Sequence, residues 1–173
     1  MRMNYKVLET RIVEIWPLEE VKNCLRVSHR YDDRMIRGLI QTAIESAEKF
    51  TSLSLYPRRV ECNIENVFSS IDFKYSPIIE INALVMKIAG AEQNILDDYG
   101  HIETDTQTVH FTSKYVGKDL KIIYRAGYRN NIPRAVQHGI LMHVAAMYDN
   151  PGGSASINSG VKDLYIPYRR LKI

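Results

Sequence analysis

The chain has 173 residues, enough to bury a core of its own within the usual size of one domain. Its composition, 45% hydrophobic and 25% charged with 9 glycines and 6 prolines, excludes a disordered chain and a fibrous repeat. A formal net charge of +3, from 23 basic and 20 acidic residues, falls far short of the dense basic stripe that non-specific DNA binding needs.

Met1 to Trp16 has no signal-peptide-like apolar stretch, because Glu9, Arg11 and Glu14 interrupt it. No run approaches the ~18 apolar residues of a membrane span, so a soluble, intracellular protein without membrane contact is expected. Residues Tyr5 to Trp16 read as extended, ending where Pro17 disfavours helix in the residue before it. Pro17 suits a first helical turn, and Glu19 and Glu20 complement its dipole. This predicts a short helix through Leu25, with Leu18, Val21 and Leu25 on one side.

The second predicted helix is capped by Asp32 or Asp33 and carries Ile36, Leu39, Ile40, Ala43, Ala47 and Phe50 at three- and four-residue spacing. After Pro57 the period changes to two. Val60, Cys62 and Ile64 alternate with Arg59, Glu61, Asn63 and Glu65, the pattern of a half-buried strand. Further strands are expected at Ile79 to Ile88, Tyr99 to Glu103, Thr108 to Phe111 and Leu120 to Tyr124, with turns at Gly90, Gly100 and Gly117.

A third helix is predicted from Pro133 to Tyr148, with Val136, Ile140, Val144 and Tyr148 in one stripe. Its remaining positions, among them Gly139, Leu141, Met142, Ala145, Ala146 and Met147, are hardly polar. A helix apolar nearly all round must be covered by its own core or by a partner subunit. A flexible loop over 151–160 then leads to a short helix or turn at Val161 to Leu164. The closing segment from Val161 to Ile173 is basic, with Lys162, Arg169, Arg170 and Lys172 against Asp163.

Together these elements predict an α+β fold: a mainly helical core with an inserted small antiparallel β-sheet or barrel-like region. One domain over 1–173 is expected, with helices about 17–52 and 133–149, a β region about 56–128, the loop 151–160 and a C-terminal segment 161–173. Cys24 and Cys62 form no CxxC pair and have no zinc-site spacing, so both are expected to be reduced and in the core or half-buried.

Signatures of chemistry are sparse. There is no GxGxxG, GxxxxGK[ST] or GxSxG, so neither a phosphate-cradling loop nor a nucleophile elbow is supported. No catalytic residue, cofactor-binding residue or metal ligand is assigned, and no cofactor is expected. His138 and His143 are five apart on one helix and face away from each other. His101 and His110 lie among Asp97, Asp98, Glu103 and Asp105, a set that would suit a metal or an acid–base pair without imposing either. Eleven tyrosines against 1 Trp and 4 Phe suit surfaces that become half-buried on association, and equally suit a sheet.

Three segments carry a resemblance. The first runs from Trp16-Pro17-Leu18-Glu19-Glu20-Val21-Lys22 through Asp32-Asp33 to Ala43, Ala47-Glu48 and Thr51. The second is Tyr124-Arg125-Ala126-Gly127-Tyr128, followed by Ile132-Pro133 and a helix with Ile140 and Tyr148. The third is Leu164-Tyr165-Ile166-Pro167-Tyr168-Arg169. In this order they resemble the head–tail connector (head-completion adaptor) family of tailed bacteriophages and related prophage or gene-transfer particles. One departure is that Ser52-Leu53 follows Thr51 where that family often has Gly-Arg.

The resemblance implies a structural virion protein rather than an enzyme. It implies a homo-oligomeric ring, commonly about twelve copies, closed by complementary head-to-tail surfaces. Such a ring docks on the portal, helps retain packaged DNA passing through it, and offers a platform to a downstream tail or neck adaptor. The protein would reside at the head–tail interface of the virion, and in the host cytoplasm before assembly. No sequence-specific nucleic-acid binding is implied. Tyr168, Arg169 and Arg170 are the expected partner-contact residues. Alternatives are another neck or tail-completion role, a metal-binding domain around His101 and His110, and a small DNA-binding protein.

Overall fold

The structure is a computed structural model that describes residues 2–88, 91–96, 100–103, 108–129, 131–151 and 156–170. It divides the chain into two compact units, one of residues 1–12 and 56–129, the other of residues 13–55 and 130–173.

The first unit is a β structure. Strands β1 (Arg2–Thr10), β2 (Arg58–Glu65), β4 (Ile78–Ile88), β5 (Ala91–Asn94) and β8 (Leu120–Ala126) form a five-stranded antiparallel sheet in the order β1-β2-β8-β4-β5. Strands β3 (Ser70–Asp72), β6 (Gly100–Glu103) and β7 (Thr108–Phe111) form a second sheet in the order β3-β7-β6. Alternation drives this arrangement, since β8 buries Leu120, Ile122, Tyr124 and Ala126 and turns Lys121, Ile123 and Arg125 outward. Val60, Cys62 and Ile64 of β2, Leu84 and Met86 of β4, and Val109 and Phe111 of β7 join them in one cluster.

The expectation of a mainly helical core with a small inserted sheet is therefore wrong. The sheets carry a continuous core of their own, and β1, from the start of the chain, completes the larger one at its edge. Each two-residue repeat buries one full side chain per pair of residues, whereas the helices bury only a stripe.

Among the described residues the second unit holds four α-helices: α1 (Leu18–Leu25), α2 (Asp33–Thr51), α3 (Arg134–Asp149) and α4 (Ser159–Tyr165). Ile36, Ala43, Ile44 and Ala47 of α2 are buried, as are Val136, Ile140, His143 and Val144 of α3. Helices α2 and α3 pack on each other. Asp32 precedes α2 but does not cap it with its side chain; its carboxylate accepts a 2.8 Å hydrogen bond from the Tyr148 hydroxyl instead. The buried Lys22 ammonium lies 2.8 Å from Asp33. Of the two cysteines, Cys62 is buried, whereas Cys24, expected in the core or half-buried, is exposed.

Gly90 and Tyr99, the centre of the expected 151–160 loop, and Lys172 lie outside the described residues. Ser159 and Gly160, expected in that loop, open α4 instead, where the Asn158 side chain accepts a hydrogen bond from the Val161 N–H at 2.9 Å.

Candidate assembly surfaces

Three surfaces stand out once each side chain is placed. The first is the C-terminal segment. Tyr165 ends α4 fully buried, its ring centroid 6.0 Å from that of Phe50. A 3-10 turn, Ile166–Tyr168, follows, with Pro167 in its first positions. The Arg169 guanidinium then lies 5.4 Å above the Phe50 ring, and the Arg170 N–H donates to the Thr51 carbonyl at 2.9 Å. The positive pair thus sits at the C-terminal end of α2, where the helix dipole favours cations. Of the expected contact residues, Arg169 is exposed, while Tyr168 and Arg170 are half-buried.

The second surface is a stripe of α3. His138, Met142 and Ala146, each four residues from the next, are exposed, with Leu141 and Ala145 half-covered beside them. The helix that is apolar all round buries one side in its own unit and leaves this line open. His138 also borders a groove of about 740 Å³ lined by Trp16, Ile132, Pro133, Arg134 and Leu141. His143 points the other way and is buried, so the two histidines are not brought together.

The third surface is the outward face of the five-stranded sheet. Its registers bring Glu9, Arg59, Arg125 and Glu80 into one row across β1, β2, β8 and β4. Glu80 is bonded to Arg125 and Arg129, each at 3.2 Å, and to Asn82 at 3.2 Å. The Asn82 amide and then Arg125 hold its carboxyl below the usual carboxylate range. A shallow groove of about 430 Å³ opens here, lined by Arg11, Arg58, Arg59 and Arg125 with Glu9 and Glu80. Residue-by-residue charge reading does not find this row, because it exists only once the register is known.

His110 of β7 pairs in register with His101 of β6, but Asp97, Asp98 and Asp105 lie outside the described residues. Among the described residues no group of three His, Cys, Asp or Glu could hold a metal ion. Among the described tyrosines, Tyr56, Tyr115, Tyr124 and Tyr165 are buried, Tyr31 is exposed, and Tyr5, Tyr75, Tyr128, Tyr148 and Tyr168 are half-buried. Burial pushes the Tyr124 and Tyr165 hydroxyls above the ordinary phenol range.

Gly127, in the Ala-Gly-Tyr step, has φ +113, and a Cβ there would lie 2.8 Å from the Tyr56 carbonyl carbon. Its N–H donates to the Pro77 carbonyl at 2.8 Å, so the strand exit is pinned where two other segments converge.

Residues 17–94 match the family model of the phage gp6-like head-tail connector protein. That stretch, somewhat under half of the chain, is similar to the head-tail connector family. Solved structures extend the likeness in fold to the whole chain. A chain in the neck of an empty gene transfer agent (GTA) particle, computed with C6 symmetry, superposes with a TM-score of 0.73 at 16% identity, covering 100% of this chain and 97% of that chain. A chain of the native GTA virion gives 0.73 at 17% identity, over the same shares. A chain in the neck of the native GTA particle, computed with C12 symmetry, gives 0.71 at 17% identity, with 97% of each chain covered. No curated protein matches the chain.

Proposed function

We propose that the chain is a structural subunit of the neck of a tailed phage or gene-transfer particle, acting as a ring-forming head–tail connector. The observation that carries this is a coincidence of two likenesses. Residues 17–94 match a head-tail connector family, and the full-length fold is shared with neck proteins of a phage-like particle.

In this reading residues 1–173 work as one connector domain. Copies close into a ring of about twelve through two complementary surfaces on each subunit. The C6 and C12 symmetry of the similar necks supports a ring of that order. The ring docks on the portal, helps retain the packaged DNA that passes through it, and receives the tail or the next neck adaptor. The subunit stays in the host cytoplasm until the head is ready. It acts by presenting surfaces and transforms no substrate.

The open α3 stripe supplies one contact, because Met142 and Ala146 are apolar and uncovered within their own unit. Tyr168, Arg169 and Arg170 supply another, to the portal or a neighbouring copy. The Phe50 ring and the Thr51 carbonyl hold the last two in a fixed place rather than on a free tail. The test is reconstitution on purified portal rings, read by electron microscopy. Wild-type chain should add a second ring of density. Tyr168→Ala combined with Arg169→Glu should remain folded and fail to dock. Full docking by that variant would remove the C-terminal assignment, and no docking by the wild type would remove the connector reading.

A further inference from the structure

The outward charges of the five-stranded sheet are mostly matched across strands. Arg2 lies opposite Glu65, Lys6 opposite Glu61, and Lys121 reaches Glu92 at 3.3 Å. One cross-strand pair breaks the pattern. Arg59 of β2 lies directly opposite Arg125 of β8. Like charges in that position destabilise a sheet, so stability does not account for the pair.

Arg125 is drawn to Glu80 on its far side, but Arg59 makes no ion pair or side-chain hydrogen bond among the described residues, even though Glu9 flanks it in register. The Arg11 guanidinium, in the same groove, likewise has none among the described residues. The groove therefore holds two arginine forks with their donors unspent, and guanidinium forks match carboxylates two bonds at a time.

We propose that this arginine row is a docking site for an acidic segment of a partner polypeptide, seated with its carboxylates on Arg11 and Arg59. The proposal rests on reading the chain as an assembly subunit. Polypeptide fits better than nucleic acid because the arginines are bracketed by Glu9 and Glu80. A duplex carries a charge about every 1.7 Å along its axis and would run across both carboxylates. An acidic segment places one or two carboxylates between them and leaves the Glu80 bridges intact.

The test measures binding of a labelled oligoglutamate peptide and of a short duplex DNA to the full chain, by fluorescence anisotropy at low and physiological salt. Arg11→Thr with Arg59→Thr is the variant. Lys114→Thr with Lys118→Thr, both ahead of β8, is a control of equal charge change. The wild type and the control should bind the peptide, and the variant should bind at least about tenfold more weakly. Its melting temperature should hold or rise, since threonine suits the strand at position 59, Arg11 lies outside β1, and a like-charge pair is gone. Tighter binding of the duplex than of the peptide, lost in the same variant, would make the face a nucleic-acid contact and overturn the proposal. No peptide binding by the wild type, or equal loss in the control, would overturn it as well. Docking on portal rings is read separately, so failure here leaves the connector reading standing.

Discussion

Gly139 of α3 lies so close to the ring of Tyr165 in α4 that a methyl group at 139 would meet Cζ at 2.9 Å and Cδ1 at 3.2 Å. The absence of a side chain sets the distance between these helices, and Tyr165 fills the space completely. Gly139→Ala gains about 1 kcal/mol in helix propensity. Overpacking against a fully buried ring costs about 1–3 kcal/mol. A net loss of about 1 kcal/mol in urea denaturation is expected, and a gain would show that α4 is not held by this contact.

Ser52 ends α2 at φ 60, with its N–H donating to the Glu48 carbonyl at 2.9 Å. This is the left-handed position where glycine is preferred, and it is where the departure from the connector pattern falls. Ser52→Gly should stabilise the protein by about 1 kcal/mol, because the Cβ penalty of the left-handed region is removed. A fall in the thermal midpoint would contradict that.

Lys22 and Asp33 form an ion pair in which the ammonium is buried and the carboxylate is 30% exposed. The two partners should respond unequally to removal. Asp33→Ala strands a buried charge and should cost roughly 3 kcal/mol. Lys22→Met keeps the packing and leaves a carboxylate that is hydrated on one side although its Oδ1 is buried, so it should cost less than Asp33→Ala, about 1.5 kcal/mol. Equal losses in chemical denaturation would mean that burial of the lysine charge is not the controlling term.

Burial pushes the Cys62 thiol up to about 12, while Cys24 is exposed. The thiolate is the reactive form. At pH 8, a thiol reagent should therefore modify Cys24 quickly and Cys62 only on unfolding. Rapid modification of both in the native protein would place Cys62 outside the core.

Element type was legible wherever a strong period met a punctuating residue. Thr108–Phe111 forms the expected strand, and Pro17, Thr51 and Pro133 mark helix ends to within a residue or two. Strand β5, Ala91–Asn94, left no trace in the sequence, because all four residues are exposed and a strand without a buried face has no alternation. β3 is three residues long and too short to show a period. The helices dominate the sequence pattern for a related reason. The helical stripes are long and easy to see, whereas the sheet core is assembled from short segments far apart in the chain, such as Val60, Leu84, Val109 and Ile122. The same holds for the candidate surfaces. The tail segment and the α3 stripe could be read locally, but the Arg59–Arg125 pairing joins strands separated by two other strands in the larger sheet's own sequence and needed the fold.

The central claim is that this chain completes a neck by joining like copies to a head. Cryo-electron microscopy of particles assembled with and without it tests this most directly. With the chain present, a ring of its density should lie between portal and tail; without it, heads should lack tails and lose DNA. Complete, tailed, DNA-filled particles assembled in its absence would contradict the account.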